Sequence, residues 1–193
     1  MHSIQLNELV RKVIHLSSAG IPLLYWVYFD RYTMLRGILI VSTAFLVAEY
    51  LRLNYTWAET LFMRVFGPAI RDHEHSQLTG ATYVFSGSAL AIFLFPKSVA
   101  VVALLVLSIS DTVAALVGIP FGKHRFLAKS MEGSLAFFTA TMIILLLFYP
   151  GQYLSSIIIA ALVTLAEANP LYLDDNFLIP VLTGTLLSLA ALV

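Results

Sequence analysis

The chain has 193 residues, of which 60% are hydrophobic and only 11% are charged. Soluble domains carry about 25% charged residues, so this composition argues against a soluble protein and indicates one that is embedded in a membrane. The formal net charge of +0 provides no basic field for nucleic acid, and the absence of Cys excludes disulfides, thiolate metal sites and cysteine nucleophiles.

Seven apolar segments predict an all-α, polytopic integral membrane helix bundle that forms a single domain over residues 1–193. They lie at 13–29, 36–53, 79–95, 98–118, 134–149, 152–168 and 177–193. Helices are expected because lipid offers no water to unpaired backbone groups. Several segments are shorter than the ~20 residues that cross a bilayer. The fifth and sixth could form a re-entrant pair, because only a short turn at 149–152 separates them.

Residues 54–78, between the second and third segments, contain an amphipathic pattern. The apolar residues recur at helical spacing: Trp57, Leu61, Phe62, Val65, Phe66 and Ile70. This spacing predicts an amphipathic helix in the membrane interface, which Pro68 ends or kinks.

The distribution of Lys and Arg predicts the orientation. With seven spans, eight of them fall on the side of the N-terminus, namely Arg11, Lys12, Arg52, Arg64, Arg71, Lys123, Arg125 and Lys129. Three fall on the other side, namely Arg31, Arg36 and Lys97. We therefore expect the N-terminus and the connections near 54–78, 119–133 and 169–176 in the cytosol, with the C-terminus outside or lumenal.

Four ionisable residues lie at cytosolic depth within apolar segments: Asp111, Glu167, Glu49 and His15. A charge at membrane depth is costly, so such residues are functional candidates, although each could instead snorkel or form a structural pair. Asp111 and Glu167 lie on stripes of small residues that allow close helix approach, so the two carboxylates could face each other.

Two loop clusters accompany these carboxylates. The stretch from Gly118 to Ser134 combines glycines, lysines and a helix start, which suits phosphate binding, although a positive-inside loop explains its basic residues equally well. The stretch from Glu167 to Asn176 supplies carboxylate and carboxamide oxygens of the kind that Mg²⁺ accepts, although Asp and Asn also favour solvated turns. Together they suggest a metal–phosphate site on one membrane face.

These motifs resemble those of the membrane lipid-alcohol kinases, a family that includes dolichol kinase, phytol and farnesol kinases and yeast-type CTP-dependent diacylglycerol kinase. The resemblance rests on Asp111-Thr112 with Gly118 and 121–124, on Lys129-Ser130 with 132–134, and on Glu167 with 174–176. Glu8 to His15 and 79–83 also look like the family's segments. The resemblance implies a divalent metal (Mg²⁺, or Ca²⁺), CTP or another nucleoside triphosphate, and a membrane acceptor that is an isoprenoid alcohol or diacylglycerol. A cytidylyltransferase of the CDP-diacylglycerol synthase type and a transporter are the alternatives.

The resemblance and the clusters together give the expected site residues. The expected catalytic residues are Asp111, Glu167 and Asp175. The expected nucleotide and phosphate ligands are Gly118, Gly122, Lys123, His124, Lys129, Ser130, Glu132, Gly133, Ser134 and Arg71. The expected metal ligands are Asp111, Glu132, Glu167, Asp174 and Asn176. Further polar candidates are Arg11, Lys12, His15, Glu49 and Thr82.

Overall fold

The computed structural model describes residues 6–169 and 173–190, apart from the side chains of 6–9, 68, 72 and 73. Its helices are α1 (Leu6–Ser17), α2 (Gly20–Tyr28), α3 (Arg31–Asn54), α4 (Thr56–Phe66), α5 (Gly80–Leu94), α6 (Lys97–Leu105), α7 (Asp111–Phe121), α8 (Met131–Phe148), α9 (Tyr153–Ala168) and α10 (Asp175–Ala190). Short 3-10 turns lie at Gly67–Ala69 and Asp72–His75, and a π-helical turn at Val106–Ser110 joins α6 to α7. A small antiparallel hairpin pairs β1 (Arg125–Phe126) with β2 (Lys129–Ser130).

The predicted helical class is confirmed, whereas the count of seven spans stays a prediction. In the described part of the chain, three helices are long and apolar enough to cross a membrane: Arg31–Asn54, Lys97–Phe121 and Met131–Phe148. The helices α5, α9 and α10 are apolar but shorter. The turn that separates α8 from α9 contains Gly151 at a φ of 88°, a left-handed conformation that glycine adopts without steric cost.

The first predicted span, 13–29, is not one continuous helix. It divides into α1 and α2, with a turn at 18–19. The hydroxyls of Ser17 and Ser18 donate back to the carbonyls of Ile14 and His15, both at 2.6 Å, and Pro22 has no N–H with which to continue the helical ladder. α1 is therefore a separate amphipathic helix that directs Lys12 inward.

The predicted amphipathic helix after the second segment forms as α4 and ends at Phe66, two residues before Pro68. Trp57, Leu61 and Val65 are 57–62% exposed, so α4 leaves an apolar face uncovered by the rest of the chain. Such a face suits the membrane interface, which stays a prediction for this helix.

The central element is the continuous helix formed by α6, the π turn and α7. Residues 99–107 of this helix are all buried, because α2, α5, α8 and α10 pack around it. The outer helices keep many large apolar side chains exposed, including those of α3 and α9. An apolar exterior around an apolar centre is the pattern expected of a membrane bundle.

The bundle has two chemically different ends. At one end, Lys97 Nζ donates to Phe29 O at 2.9 Å and Arg31 Nε donates to Ile92 O at 3.2 Å, which ties the turn between α2 and α3 to that between α5 and α6. At the other end lie the hairpin, the last turn of α9 and the first turn of α10. Most of the ionisable candidates from the sequence lie near this second end.

Candidate active site

A cavity of about 980 Å³ opens at this second end, a size typical of small-molecule sites. Its charged and polar wall comes from Arg11, Lys12, His15, Arg71, Glu74, Asp111, Lys123, His124, Arg125, Lys129, Glu167, Asp174, Asp175 and Asn176. Its apolar wall includes Ile14, Ile21, Phe45, Phe62, Phe66, Ile70, Val84, Phe85, Ala114 and Ala115. One pocket therefore offers two kinds of surface to a ligand.

Asp111, the first residue of α7, is held by two side chains of α1. Its Oδ2 accepts a hydrogen bond from Lys12 Nζ at 2.6 Å, and His15 Nε2 lies 3.3 Å from the same oxygen. His15 Nε2 also lies 3.2 Å from Leu107 O, which identifies Nε2 as the protonated nitrogen. Lys12, His15 and Asp111 therefore form a cluster of ionisable groups against the central helix.

The π turn before Asp111 forms the contact surface for α1. Its Ser108 hydroxyl lies 2.8 Å from that of Ser18, and its backbone oxygen at Ser108 accepts a bond from Thr112 Oγ1 at 2.7 Å. π-Helical turns inside α-helices are frequent at functional sites. Here the turn connects the central helix to the helix that carries Lys12.

Lys129 forms a second charged cluster with the ends of α9 and α10. Its Nζ donates to Glu167 Oε1 at 2.8 Å and to Asp175 Oδ2 at 3.0 Å. The hairpin positions the lysine: Leu127 turns the chain at a φ of 52°, and Ala128 N donates to Ala168 O at 3.0 Å. Docking of the hairpin tip on α9 thus places Lys129 beside Glu167.

The two carboxylates keep Lys129 charged. Burial alone would lower its pKa, but the attraction of Glu167 and Asp175 outweighs burial and raises the pKa of the ammonium above its ordinary value. Lys129 is therefore a permanent cation at neutral pH.

The glycines near the hairpin allow close packing between α7 and α8. A Cβ atom on Gly118 would lie 2.9 Å from Ser130 Oγ, and one on Gly122 would lie 2.7 Å from Ser130 Cβ. Ser130 caps α8 by accepting from Gly133 N at 3.2 Å, while Glu132 Oε1 lies 2.8 Å from His124 Nδ1. The start of α8 is thus partly saturated by its own side chains, and the glycines have a packing role.

Glu49 and Arg52 form a buried pair that holds the connection between α4 and α5. Arg52 Nε donates to Glu49 Oε2 at 2.9 Å, and its other nitrogens donate to backbone oxygens at 74, 75 and 77. Glu49 Oε1 accepts from Thr79 N at 3.0 Å and from Thr82 Oγ1 at 3.1 Å. Glu49 therefore forms a structural ion pair, which was one of the two possibilities for this residue. Thr82 belongs to the same hydrogen-bond network.

The structure brings most of the predicted site residues to the cavity. Those that line it are Arg11, Lys12, His15, Arg71, Asp111, Gly118, Gly122, Lys123, His124, Lys129, Ser130, Gly133, Glu167, Asp174, Asp175 and Asn176. Those that do not are Glu49, Thr82, Glu132 and Ser134. Asp174 also has a structural role, because its Oδ1 accepts from Asn176 N at 2.9 Å at the start of α10.

Glu74 is a cavity residue that was not among the site residues expected from the sequence. Its side chain is buried and lines the cavity, and its two oxygens accept from Arg71 N and Gly80 N, both at 2.8 Å. The signal was present in the sequence as an acid between an arginine and a glycine in a loop that leads into an apolar helix. Glu74 fixes the backbone that presents Arg71.

The divalent metal that the resemblance implies would need carboxylate ligands that lie close together. Among the residues whose side chains are described, no three carboxylate or imidazole groups form a cluster that could hold a metal ion. The predicted five-residue set is thus not assembled, and its Glu132 lies beside His124. Glu167 Oε2, however, is buried with no hydrogen-bond partner, and Asp175 shares Lys129 with Glu167. Glu167 and Asp175 therefore fit two of the oxygen ligands of a divalent cation, with Glu167 Oε2 as the oxygen that has no other partner.

Fold and site together define a helical membrane protein whose cavity joins a charged wall to an apolar wall. The chain is 32% identical to an uncharacterised protein of Rickettsia prowazekii, over 90% of this chain and 89% of that protein. It is 28% identical to the CTP-dependent diacylglycerol kinase 1 of Saccharomyces cerevisiae, over 92% and 71% of the two chains. It is also 28% identical to the protein of that name from Schizosaccharomyces pombe, over 95% and 93%.

The chain belongs to the family of CTP-dependent lipid kinases. No protein-family model and no solved structure matches it. The resemblance inferred from Asp111, the hairpin loop and Glu167 is therefore confirmed at the level of the family.

Proposed function

We propose that this protein transfers the γ-phosphate of CTP to the hydroxyl of diacylglycerol inside the cavity. The observation that carries the proposal is the double character of the cavity, because a charged wall suits a triphosphate and an apolar wall suits a membrane lipid. Three relatives, each named CTP-dependent diacylglycerol kinase 1, support CTP as the donor and diacylglycerol as the acceptor. An isoprenoid alcohol is the second acceptor to be tested.

The cations of the cavity would bind and align the phosphates of CTP. Lys123 lines the cavity from the loop after α7, Arg71 from the loop between α4 and α5, and Arg11 from α1. Phosphoryl transfer depends mainly on positioning and on neutralising charge, which these side chains supply. Lys129 would hold Glu167 and Asp175 in place beside the phosphates.

A divalent cation, when bound, would neutralise charge on the transferred phosphoryl group. Glu167 and Asp175 would hold it, because Glu167 keeps a buried oxygen without a partner. The proton transfer would be carried out by a residue of the chain itself.

Asp111 would accept the proton of the acceptor hydroxyl. Lys12 and His15 fix its carboxylate from one side and keep it ionised. As the hydroxyl oxygen bonds to the γ-phosphorus, the bond from that phosphorus to the β–γ bridging oxygen breaks, the proton passes to Asp111, and CDP leaves. General base catalysis of this kind contributes about 10²–10⁴ in rate.

The excess of Lys and Arg at the cavity end supports a cytosolic active site. CTP from the cytosol would then reach the charged wall, while the lipid would enter from the bilayer. The orientation is tested by asking whether CTP added outside sealed, right-side-out vesicles is consumed only after the vesicles are permeabilised.

The decisive experiment incubates the purified protein in lipid vesicles with CTP labelled at the γ- or the α-position. The acceptors are diacylglycerol, farnesol, phytol and a polyprenol. Label from γ-CTP in diacylglycerol phosphate is the expected result, and mass spectrometry identifies the product. Label transferred only from the α-position would indicate a cytidylyltransferase and not a kinase. Solute flux without nucleotide would indicate a transporter.

A further inference from the structure

The apolar wall of the cavity includes two half-buried aromatic side chains. Phe45 on α3 and Phe85 on α5 pack together there, with ring centroids 4.6 Å apart. Phe45 lies nine residues before the end of α3 at Asn54, which is about 14 Å along the helix axis. Asp111 lies ten residues before the end of α7 at Phe121, which is about 15 Å along its axis. Phe45 and Asp111 each lie more than two turns from that end of their own helix, and both line the same cavity.

This part of the wall offers few polar contacts. Five further apolar side chains line the cavity with the phenylalanines, namely Ile21, Val84, Ile14, Phe62 and Ile70. The hydroxyls of Ser17 and Ser18 also line the cavity, and both donate to carbonyls of α1. A nucleotide base would leave its own polar edge unsatisfied here, which costs free energy. A hydrocarbon chain has no polar group that would be left without a hydrogen bond here.

The wall also reaches the surface of the bundle. Ile14 on α1 and Phe66 on α4 line the cavity and are 50% and 44% exposed. Both helices carry further exposed apolar residues nearby, Val13 and Leu61 among them. α1 and α4 therefore contribute apolar side chains both to the cavity and to the outer surface of the bundle, beside the charged lining residues Arg11 and Lys12 of α1.

We infer that this surface, defined by Ile14, Phe66, Phe45 and Phe85, is the binding site for one hydrocarbon chain of the lipid acceptor. The inference rests on the proposed function, since it assigns the acceptor chain to the apolar wall and its hydroxyl to Asp111. The chain enters between α1 and α4 and ends against the phenylalanine pair. Filling the end of the site then shortens the longest chain that the protein accepts.

The first test narrows the end of the site with Phe85→Trp. We expect kcat/KM for dioleoylglycerol to fall about tenfold relative to dioctanoylglycerol, since one or two methylenes that no longer fit cost 10–200-fold. KM for CTP stays unchanged. Phe93→Trp is the matched control, because Phe93 lies on the same helix, is 59% exposed and does not line the cavity. Equal losses for both acceptors, or a raised KM for CTP, would overturn the inference.

The second test does not depend on turnover or on a stable variant. Wild-type protein in vesicles is irradiated with a diacylglycerol that carries a diazirine at the chain terminus, and the labelled peptides are identified by mass spectrometry. We expect label on α3 and α5 at the phenylalanine pair, and competition by unlabelled dioleoylglycerol. Label at these residues in a protein that phosphorylates no acceptor would retain the site and reject the kinase activity. Kinase activity with label confined to the outer helix faces would reject the site alone.

Discussion

The ammonium of Lys12 lies 2.6 Å from the carboxylate of Asp111, although 99 residues separate them in the sequence. Both side chains are largely buried, with 11% and 16% of their surface exposed. A carboxylate at this depth would be costly alone, and Lys12 with His15 offsets that cost. α1 is therefore part of the candidate active site.

Replacing Asp111 by Asn should abolish most of the kinase activity. The change keeps the size of the side chain but removes the proposed proton acceptor, so we expect kcat to fall by about 10²-fold or more. Asp30→Asn is the control, because Asp30 caps α3 at the opposite end of the bundle and Asn caps helices equally well. Lipid phosphate formed from γ-labelled CTP is measured for both. Wild-type turnover in Asp111→Asn would remove Asp111 from the mechanism.

The bridge from Lys129 to Glu167 should stabilise the fold as well as the site. In Lys129→Gln the buried Glu167 loses its cationic partner, so we expect the free energy of unfolding to fall by about 1–3 kcal/mol. The double variant with Glu167→Gln should recover part of that loss while remaining inactive, because the most deeply buried charge is then removed and only Asp175, which is 32% exposed, lacks its lysine. Thermal melting in detergent gives the stabilities. A double variant as unstable as the sum of the single ones would show that the two residues do not interact.

The contribution of this bridge to stability should not change between about pH 6 and pH 9. Lys129 has a raised pKa in the folded protein, so its stabilising effect is complete below the ordinary lysine value of about 10.4 and is lost only as the pH rises through the folded value. The measurement is the difference in melting temperature between wild type and Lys129→Gln across this range. A difference that shrinks near neutral pH would contradict the assignment of the bridge.

Gly122 should be required for packing. A Cβ at this position would meet Gly118 O and would lie 2.7 Å from Ser130 Cβ, so Gly122→Ala should destabilise the protein by about 1–3 kcal/mol. Gly37→Ala is the control, since nothing lies within 4 Å of its added Cβ and Ala favours a helix. Melting and KM for CTP are measured together. A raised KM without a lower melting temperature would instead support a direct role in phosphate binding.

The buried pair of Glu49 and Arg52 should hold the loop that presents Arg71. Glu49→Gln leaves Arg52 as a buried cation without a carboxylate partner, and breaking such pairs costs about 3–5 kcal/mol. Protease cleavage within 67–79 should become faster in the folded protein. Glu59→Gln, on the exposed side of α4, is the matched control and should behave like wild type. An unchanged melting temperature in Glu49→Gln would contradict the proposed clamp.

The sequence by itself determined the class of structure, because a chain with so few charges can satisfy its backbone in lipid only by forming helices. It also identified most residues of the charged wall, though not Glu74, since carboxylates and cations inside apolar segments are rare and costly. Family membership followed from the same residues. Of the predicted site, only Glu49, Thr82, Glu132 and Ser134 fall outside the residues that line the cavity.

Tertiary structure alone decided which charges meet. The pairing of Lys12 with Asp111 depends on the break at 18–19, which frees α1 to fold against the π turn, and that turn has no signature in the apolar pattern. The pairing of Lys129 with Glu167 depends on the hairpin tip that bonds to Ala168. Local periodicity encodes helices, whereas the partner of a buried charge is selected by three-dimensional packing, because burial makes an unpaired charge too costly to retain.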